Sequence, residues 1–226
     1  MPFLSRVSMA AKTFFNTMHS TFQLIHGVWK ISSIKGPIVS IFGGAQLPID
    51  DMYAQQAHFL AQKIVALHIN IMTGGGTGIM QAANCGALKN QQTMSIGIGI
   101  KGFEDKNPCM KQYIEVEQLY IRKWLLTHYS MAYVIFPGGY GTLDELAELL
   151  TLMKIKKLQP APIVLIGKEY WQGLIDWLYA EGLTHGAVTQ EHLDLFTITD
   201  DLNKALCLIE DTCKNKTKQN PSKGPL

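Results

Sequence analysis

The sequence predicts a doubly wound α/β domain, in which helices cover both faces of a mostly parallel sheet. Short segments that are apolar throughout alternate along the chain with longer segments of helical periodicity. Strands without polar positions, separated by helices, are typical of a parallel sheet that is buried on both faces. The 226 residues, 47% hydrophobic and 17% charged, are enough to bury one large core.

From Pro37 onward the predicted strands and helices follow one another regularly. The predicted strands are 37–42, 69–73, 94–100, 113–120, 132–136, 162–167 and 195–198. The predicted helices are 50–67, 78–88, 122–129, a long helix from Thr142, 169–180 and a last helix from Asp201. We therefore expect one domain over residues 36–211, with a helical extension at 1–35 before it.

Both ends of the chain differ from the middle. The first 49 residues contain no Asp or Glu. Within them, apolar residues recur at alternating spacings of four and three, which indicates a helix with one apolar seam: Ala11, Phe15, Met18, Phe22, Ile25 and Trp29. We expect this helix to lie over the domain or over a partner subunit, with a transit peptide or membrane-surface helix as the alternative. Residues 212–226 are polar, without apolar periodicity, and are predicted to be disordered.

Composition limits the classes of function. A net charge of +2 gives no reason to expect nucleic acid as a partner, and no apolar run is long enough to span a membrane. The histidines are dispersed, so a metal site is not expected. With no secretory leader visible, the four scattered cysteines predict reduced thiols in a cytoplasmic protein: Cys85, Cys109, Cys207 and Cys213.

Glycine-rich corners follow the predicted strands. The two main ones are "MTGGGTGIM" (72–80) and "FPGGYGTLDE" (136–145), and a weaker one is "IFGGAQ" (41–46). Glycine lets main-chain N–H groups approach an anion at the N-terminus of a helix. Neither main corner matches a P-loop or a dinucleotide fingerprint, so a single phosphate is the better prediction.

Charged residues near the second corner allow two interpretations. Thr142 and Glu145 form the T-x-x-E pattern of a capping box, so Glu145 is either a cap or a catalytic carboxylate. Arg122 and Lys123 are predicted at a helix start, where the helix dipole disfavours positive side chains. A nearby anion or carboxylate would compensate for this unfavourable placement. The apolar face of the long helix is predicted to consist of Leu143, Leu146, Ala147, Leu150 and Met153. Leu149, Leu152 and Ile155 extend its apolar surface beyond that face, which predicts a subunit interface or an intrachain cover.

The motifs "GGGTGIMQAAN", "IRK" and "PGGYGTLDEL" resemble those of the LOG ("Lonely Guy") proteins, over roughly residues 37–209. That family has a Rossmann-like fold and was long labelled "possible lysine decarboxylase". The resemblance implies a homodimer that hydrolyses the N-glycosidic bond of AMP or a cytokinin nucleotide, and no cofactor is expected. It implies Arg122 and Glu145 as the catalytic pair.

The resemblance and the glycine corners together give a predicted set of substrate-binding residues: Gly43, Gly44, Gly74, Gly75, Gly76, Thr77, Gly78, Met80, Lys123, Gly138, Gly139, Tyr140, Gly141, Thr142 and Thr151. Two positions depart from the family pattern, because Gly44 replaces a usual serine and Gln46 stands where arginine is frequent. These departures bear on the preference for base or phosphate. The alternative function is a nucleotide or molybdenum-cofactor carrier, in which Glu145 only caps its helix.

Overall fold

The structure is a computed structural model that describes residues 3–103 and 105–219. Within these residues, seven strands form a single sheet in which every neighbouring pair is parallel. The strands are β1 (Ile38–Phe42), β2 (Asn70–Thr73), β3 (Ser95–Ile100), β4 (Gln112–Val116), β5 (Ala132–Ile135), β6 (Ile163–Ile166) and β7 (Phe196–Thr199). The predicted fold class is confirmed.

Helices cover both faces of the sheet. They are α1 (Phe3–Ser32), α2 (Met52–Ala66), α3 (Ile79–Ala87), α4 (Leu119–His128), α5 (Tyr140–Lys154), α6 (Lys168–Trp177), α7 (Gln190–Leu193) and α8 (Leu202–Gln219), and α6 runs on into a π-helical turn at Leu178–Leu183. One core lies under α2, α3 and α8, and the other lies under α1, α4, α5 and α6. Alternate residues of β1 serve the two cores: Val39 and Ile41 face the first, Ile38 and Phe42 the second.

The strand order β4-β3-β2-β1-β5-β6-β7 places a change of direction at the centre of the sheet. The chain runs outward from β1 to β4 and then returns to add β5 on the other side of β1. After β1 the chain enters α2 on one face, and after β5 it enters α5 on the other. Such a switch point opens a crevice at the carboxyl ends of the two strands. In this fold, that is where a ligand is expected.

The apolar seam of α1 does not lie over the domain. The helix docks through its opposite side, where Gly27 packs closely on Leu125 and Ile31 is buried. The side-chain oxygen of Gln23 also accepts a hydrogen bond from the N–H of Glu117, at 3.0 Å. Five large residues of the seam, from Phe15 to Trp29, are 43–70% exposed. The expectation that this seam covers the body of the domain is therefore wrong.

Two predictions about the cysteines and the C-terminus are also wrong. Cys85 and Cys109 form a disulfide, whereas Cys207 and Cys213 are not part of a disulfide. The helix α8 continues to Gln219, with Cys213 buried on its inner side, so residues 212–219 are helical rather than disordered. The predicted disorder of 220–226 lies outside the described residues.

The long helix α5 is buried along a different line from the one predicted. Its inward side chains are Thr142, Leu146, Leu149 and Met153, whereas Leu143 and Ala147 lie on its exposed side. In residues 3–103 and 105–219, no helix has both the length and the apolar character needed to cross a membrane. In the same part of the chain, no group of three or more His, Cys, Asp or Glu residues could hold a metal ion.

Candidate active site

The three glycine corners meet at the switch point between β1 and β5. They surround a cleft of about 620 Å³. The predicted residues that line it are Gly43, Gly44, Gly74, Met80, Arg122, Lys123, Gly138, Gly139, Gly141, Thr142 and Glu145. The structure thus brings residues from the ends of three strands and from α4 and α5 into one cavity, as parallel strands predict.

The corners contact one another through their main chains. The N–H of Gly44 donates to the carbonyl of Pro137 at 2.9 Å, and the N–H of Ile79 donates to the carbonyl of Gly44 at 3.1 Å. Gly78 has a φ of +62°, and a Cβ added there would come within 2.2 Å of the carbonyl oxygen of Gly44. A Cβ at Gly138 would lie 2.7 Å from the main-chain nitrogen of Gly44. Glycine is therefore required at positions 78 and 138 for the corners to fit together.

Arg122 lies in the wall of the cleft. It is 7% exposed, and the Nε atom of its guanidinium has no hydrogen-bond partner among the described residues. Its Nη2 atom lies 4.0 Å from the sulfur of Met80 and 4.0 Å from Oε1 of Glu145. A Cβ at Gly74 would come within 2.1 Å of Nη2, so the absence of a side chain at Gly74 makes room for the guanidinium. A buried cation that keeps an unused donor favours an anionic or oxygen-rich ligand.

Glu145 is in the second turn of α5 and is largely buried. The predicted capping box does not form, because the helix begins at Tyr140 and its N-cap is Gly139. Thr142 is instead a buried residue inside the first turn. The first N–H groups of a helix have no partner within it, and here Gly139, Gly141 and Thr142 at the N-terminus of α5 line the cleft.

Lys123 and the acids of α5 form an ion-pair network at the edge of the cleft. The Nζ atom of Lys123 lies 2.8 Å from Oδ2 of Asp144 and 3.2 Å from Oε2 of Glu148. Burial lowers the pKa of Lys123, but hydrogen bonds to both carboxylates outweigh it and the pKa is raised. The prediction that Arg122 and Lys123 start a helix is wrong by about a turn, because α4 begins at Leu119.

Some predicted residues lie next to the cleft without lining it. Gly75, Gly76, Thr77 and Gly78 form the back of their corner; there the hydroxyl of Thr77 donates to the carbonyl of Ala45 at 2.8 Å. Tyr140 is 93% exposed. Thr151 is exposed three turns along α5. These six residues do not contribute to the cavity wall within this chain.

Several residues of the cleft were not predicted. Phe103, Leu119 and Tyr170 line it, and the hydroxyl of Tyr170 donates to the carbonyl of Gly138 at 2.6 Å. Tyr170 follows β6, so the rule that ligands sit at the carboxyl ends of parallel strands could have suggested it.

The corner after β2 is held from behind by a buried polar residue. Asn107 is 2% exposed; its side chain donates to the carbonyl of Gly76 at 2.8 Å and to Oδ1 of Asn84 at 3.1 Å. Its N–H donates to the carbonyl of Gly75 at 3.1 Å. The disulfide between Cys85 and Cys109 fixes the same segment to α3. Because buried polar groups that are fully bonded rigidify their surroundings, this arrangement fixes the shape of the corner.

The arrangement combines three chemical elements. A helix N-terminus can hold a phosphate, a buried guanidinium can hold hydroxyl or anionic oxygens, and a carboxylate can stabilise positive charge or activate water. Phe103, Leu119 and Leu47 add an apolar surface against which a flat ring can pack. A phosphorylated sugar that carries a base has a part suited to each of these elements.

Comparisons with known proteins find similar sequences. The sequence profile of the family described as "Possible lysine decarboxylase" matches residues 80–209. A probable cytokinin riboside 5′-monophosphate phosphoribohydrolase from Oryza sativa subsp. japonica is 25% identical over 179 residues, which are 76% of this chain and 77% of that protein. The cytokinin riboside 5′-monophosphate phosphoribohydrolase of Rhodococcoides fascians is 23% identical over 176 residues, which are 76% of this chain and 88% of that protein.

A solved structure shares the fold. The molybdenum cofactor binding protein of Rippkaea orientalis superimposes with a TM-score of 0.57 at 23% identity. The match covers 79% of this chain and 98% of that protein. At this identity the likeness shows the fold alone.

Proposed function

Because this chain belongs to the family described as "Possible lysine decarboxylase", as its motifs predicted, we propose that it hydrolyses the N-glycosidic bond of a nucleoside 5′-monophosphate. Its curated relatives include cytokinin riboside 5′-monophosphate phosphoribohydrolases. The substrate is AMP or a cytokinin riboside 5′-monophosphate, and the products are the free base and ribose 5-phosphate. The cytoplasmic location stays a prediction.

The observation that carries the proposal is the pairing of Arg122 with Glu145 in the wall of the cleft, at 4.0 Å. Cleavage breaks the bond between C1′ and the base nitrogen, and the electron pair leaves with the base. The sugar passes through an oxocarbenium-like state, which a nearby carboxylate stabilises. Water then adds to C1′, and Glu145 accepts a proton that is returned to the departing base.

The other parts of the cleft hold the substrate in place. The 5′-phosphate lies at the N-terminus of α5, where Gly139, Gly141 and Thr142 present main-chain N–H groups. Arg122 donates to the ribose hydroxyls and orients the carboxylate of Glu145. Tyr170 keeps the corner after β5 in place through its hydrogen bond to Gly138.

The lysine in the cleft is not suited to the decarboxylase activity that the description of the family names. A Schiff-base lysine is activated by a lowered pKa, which desolvation or a neighbouring cation provides. The lysine that lines the cleft is Lys123, and its pKa is raised because the hydrogen bonds to Asp144 and Glu148 outweigh burial. The charged form of Lys123 is thus stabilised, which disfavours covalent chemistry at its nitrogen.

The alternative is a carrier that binds a nucleotide or a molybdenum cofactor without reaction. The fold shared with the Rippkaea orientalis protein motivates it. In a carrier, the role expected of Glu145 is to cap its helix. The capping box does not form, and this counts against the carrier. The two proposals differ in whether bound AMP is turned over.

The test measures base release and binding together. Purified protein is incubated with AMP and with a panel of nucleoside monophosphates, and free base is quantified by chromatography, while calorimetry measures binding. We expect adenine release by the wild type and a loss of about 10²- to 10⁴-fold in rate for Glu145→Gln. Glu191→Gln is the matched control, because this acid is exposed on α7, outside the cavity wall. Binding of AMP without base release would favour the carrier, and equal rates for wild type and Glu145→Gln would remove Glu145 from the mechanism.

A further inference from the structure

The exposed seam of α1 is the largest apolar feature that the proposed function leaves unexplained. We call Ala11, Phe15, Met18, Phe22, Ile25 and Trp29 the N-terminal seam. Phe15, Phe22 and Trp29 are 64%, 65% and 70% exposed. Phe14, beside the seam, is 62% exposed. Monomeric proteins rarely expose a contiguous apolar surface of this kind unless it binds a partner.

The seam faces away from the domain. Residues 8–18 are all exposed, and His19 is the first residue of this stretch with an ion-pair distance to the domain, 3.4 Å from its Nε2 to Oε2 of Glu117. The contacts with the domain include those of Gln23, Gly27 and Ile31, which lie away from the seam. Nothing in residues 3–103 and 105–219 therefore covers the seam.

The spacing of the seam favours another helix as the partner. Alternating steps of four and three residues give a repeat of 3.5, which keeps a narrow seam facing a second helix in a coiled coil. A helix that lies in a membrane surface usually has a wide apolar face and a strongly cationic polar face. Residues 8–32 contain only Lys12 and Lys30 as lysine or arginine, and their remaining polar residues are mostly Ser, Thr, Asn and Gln. The pattern therefore favours a protein helix over a lipid surface.

We propose that the partner is α1 of a second copy of this chain, packed antiparallel. In an antiparallel pair centred on position 20, Trp29 lies opposite Ala11 of the other copy, Ile25 opposite Phe15, and Phe22 opposite Met18. The largest side chain of the seam thus meets the smallest. A parallel pair would instead place Trp29 against its own counterpart and Ala11 against its own, leaving one layer crowded and one empty.

The area of the seam matches a stable interface. Each aromatic side chain buries roughly 150–250 Å² when it is fully covered, so Phe15, Phe22 and Trp29 together offer about 400 Å² at their present exposure. Met18, Ile25 and the neighbouring Phe14 bring the total near the roughly 800 Å² per partner of a standard interface. The domains of the two copies then lie on opposite sides of the helix pair.

Mass measurement on the full chain tests the proposal. Light scattering coupled to size exclusion is expected to show wild type as an assembly whose mass halves in Phe22→Glu. This holds whether or not copies also meet through the outer side of α5. Thr17→Glu is the matched control, an exposed position on the same helix but outside the seam, and it keeps the wild-type mass. A wild type of one chain, an unchanged mass in Phe22→Glu, or a single chain that sediments with phosphatidylglycerol vesicles would each overturn the proposal.

Cross-linking tests the antiparallel orientation and does not depend on a disruptive variant. In a Cys207→Ser background, which removes the exposed free thiol, Thr21→Cys lies near the proposed two-fold axis and forms an intermolecular disulfide on oxidation. Phe15→Cys is the control, because its counterpart lies about ten residues along the pair, roughly 15 Å away. Cross-linking of Phe15→Cys in place of Thr21→Cys would show a parallel pair and refute the arrangement.

Discussion

A methyl group added at Gly74 tests whether the position of the Arg122 guanidinium matters for the proposed reaction. In Gly74→Ala, the new Cβ would lie 2.1 Å from Nη2 of Arg122 and 2.7 Å from the sulfur of Met80. An ordinary contact begins at about 3.4 Å, so the guanidinium has to move by more than an ångström. Both atoms belong to flexible side chains, so we expect the clash to be relieved by their movement, with the fold intact. A displacement of about 1 Å in a catalytic group can cost about 10²-fold in rate.

The assay is base release from AMP, with kcat/KM compared between variants and the fold checked by urea unfolding. Gly173→Ala is the matched control, because Gly173 lies on α6 outside the cleft wall and a Cβ there has no neighbour within 4 Å. We expect about a 10²-fold loss for Gly74→Ala and a change of only a few fold for Gly173→Ala. A Gly74→Ala protein that releases base at the wild-type rate would show that the position of Arg122 does not govern the reaction.

Three further predictions concern stability, each measured by urea unfolding. Gly78→Ala places a Cβ at positive φ against the main chain of Gly44 and should lower the free energy of unfolding by about 2–4 kcal/mol, whereas Gly141→Ala, in open space, should not lower it. Reduction of the Cys85–Cys109 disulfide, which spans 24 residues, should lower it by about 3 kcal/mol; no change on adding dithiothreitol would contradict this. Because the pKa of Lys123 is raised, its ion pairs stabilise the fold at neutral pH, and this stabilisation is lost as the pH rises through that pKa. The difference in the free energy of unfolding between wild type and Lys123→Met should therefore shrink above about pH 10.5.

The position of the cleft could be predicted from the sequence, because it depends on the order of strands and on the corners that follow them. Parallel strands place their carboxyl ends at one edge, so Gly44, Gly74 and Gly138 had to lie near one another. The pairing of Arg122 with Glu145 came from the resemblance of motifs. Their distance depends on how α4 and α5 pack, which no local pattern gives.

The helix starts show where local patterns fail. The T-x-x-E pattern at Thr142 predicts a cap, but α5 begins at Tyr140 because the corner after β5 turns at Gly139. Thr142 is then buried, with its hydroxyl in the space that a Cβ at Gly138 would fill. A capping pattern indicates only the local preference of a segment, and here tertiary packing places the start of the helix elsewhere.

The disulfide and the C-terminal helix were missed for different reasons. Cys85 and Cys109 are brought together only when the segment after β3 folds back on α3, so their sequence positions gave no indication of pairing. In α8, by contrast, Ala205, Ile209 and Cys213 are buried at steps of four residues, and this inward line continues past Asp211. That periodicity was available in the sequence and could have extended the predicted helix.

The main-chain contacts among the glycine corners carry a consequence for engineering. Gly44 hydrogen-bonds to Pro137 and to Ile79, so it connects segments that are far apart in sequence. A chimera that imports one corner from a relative, to alter the preferred base, would bring a backbone shaped for different neighbours. Such swaps should therefore succeed when the three glycine corners are transplanted together.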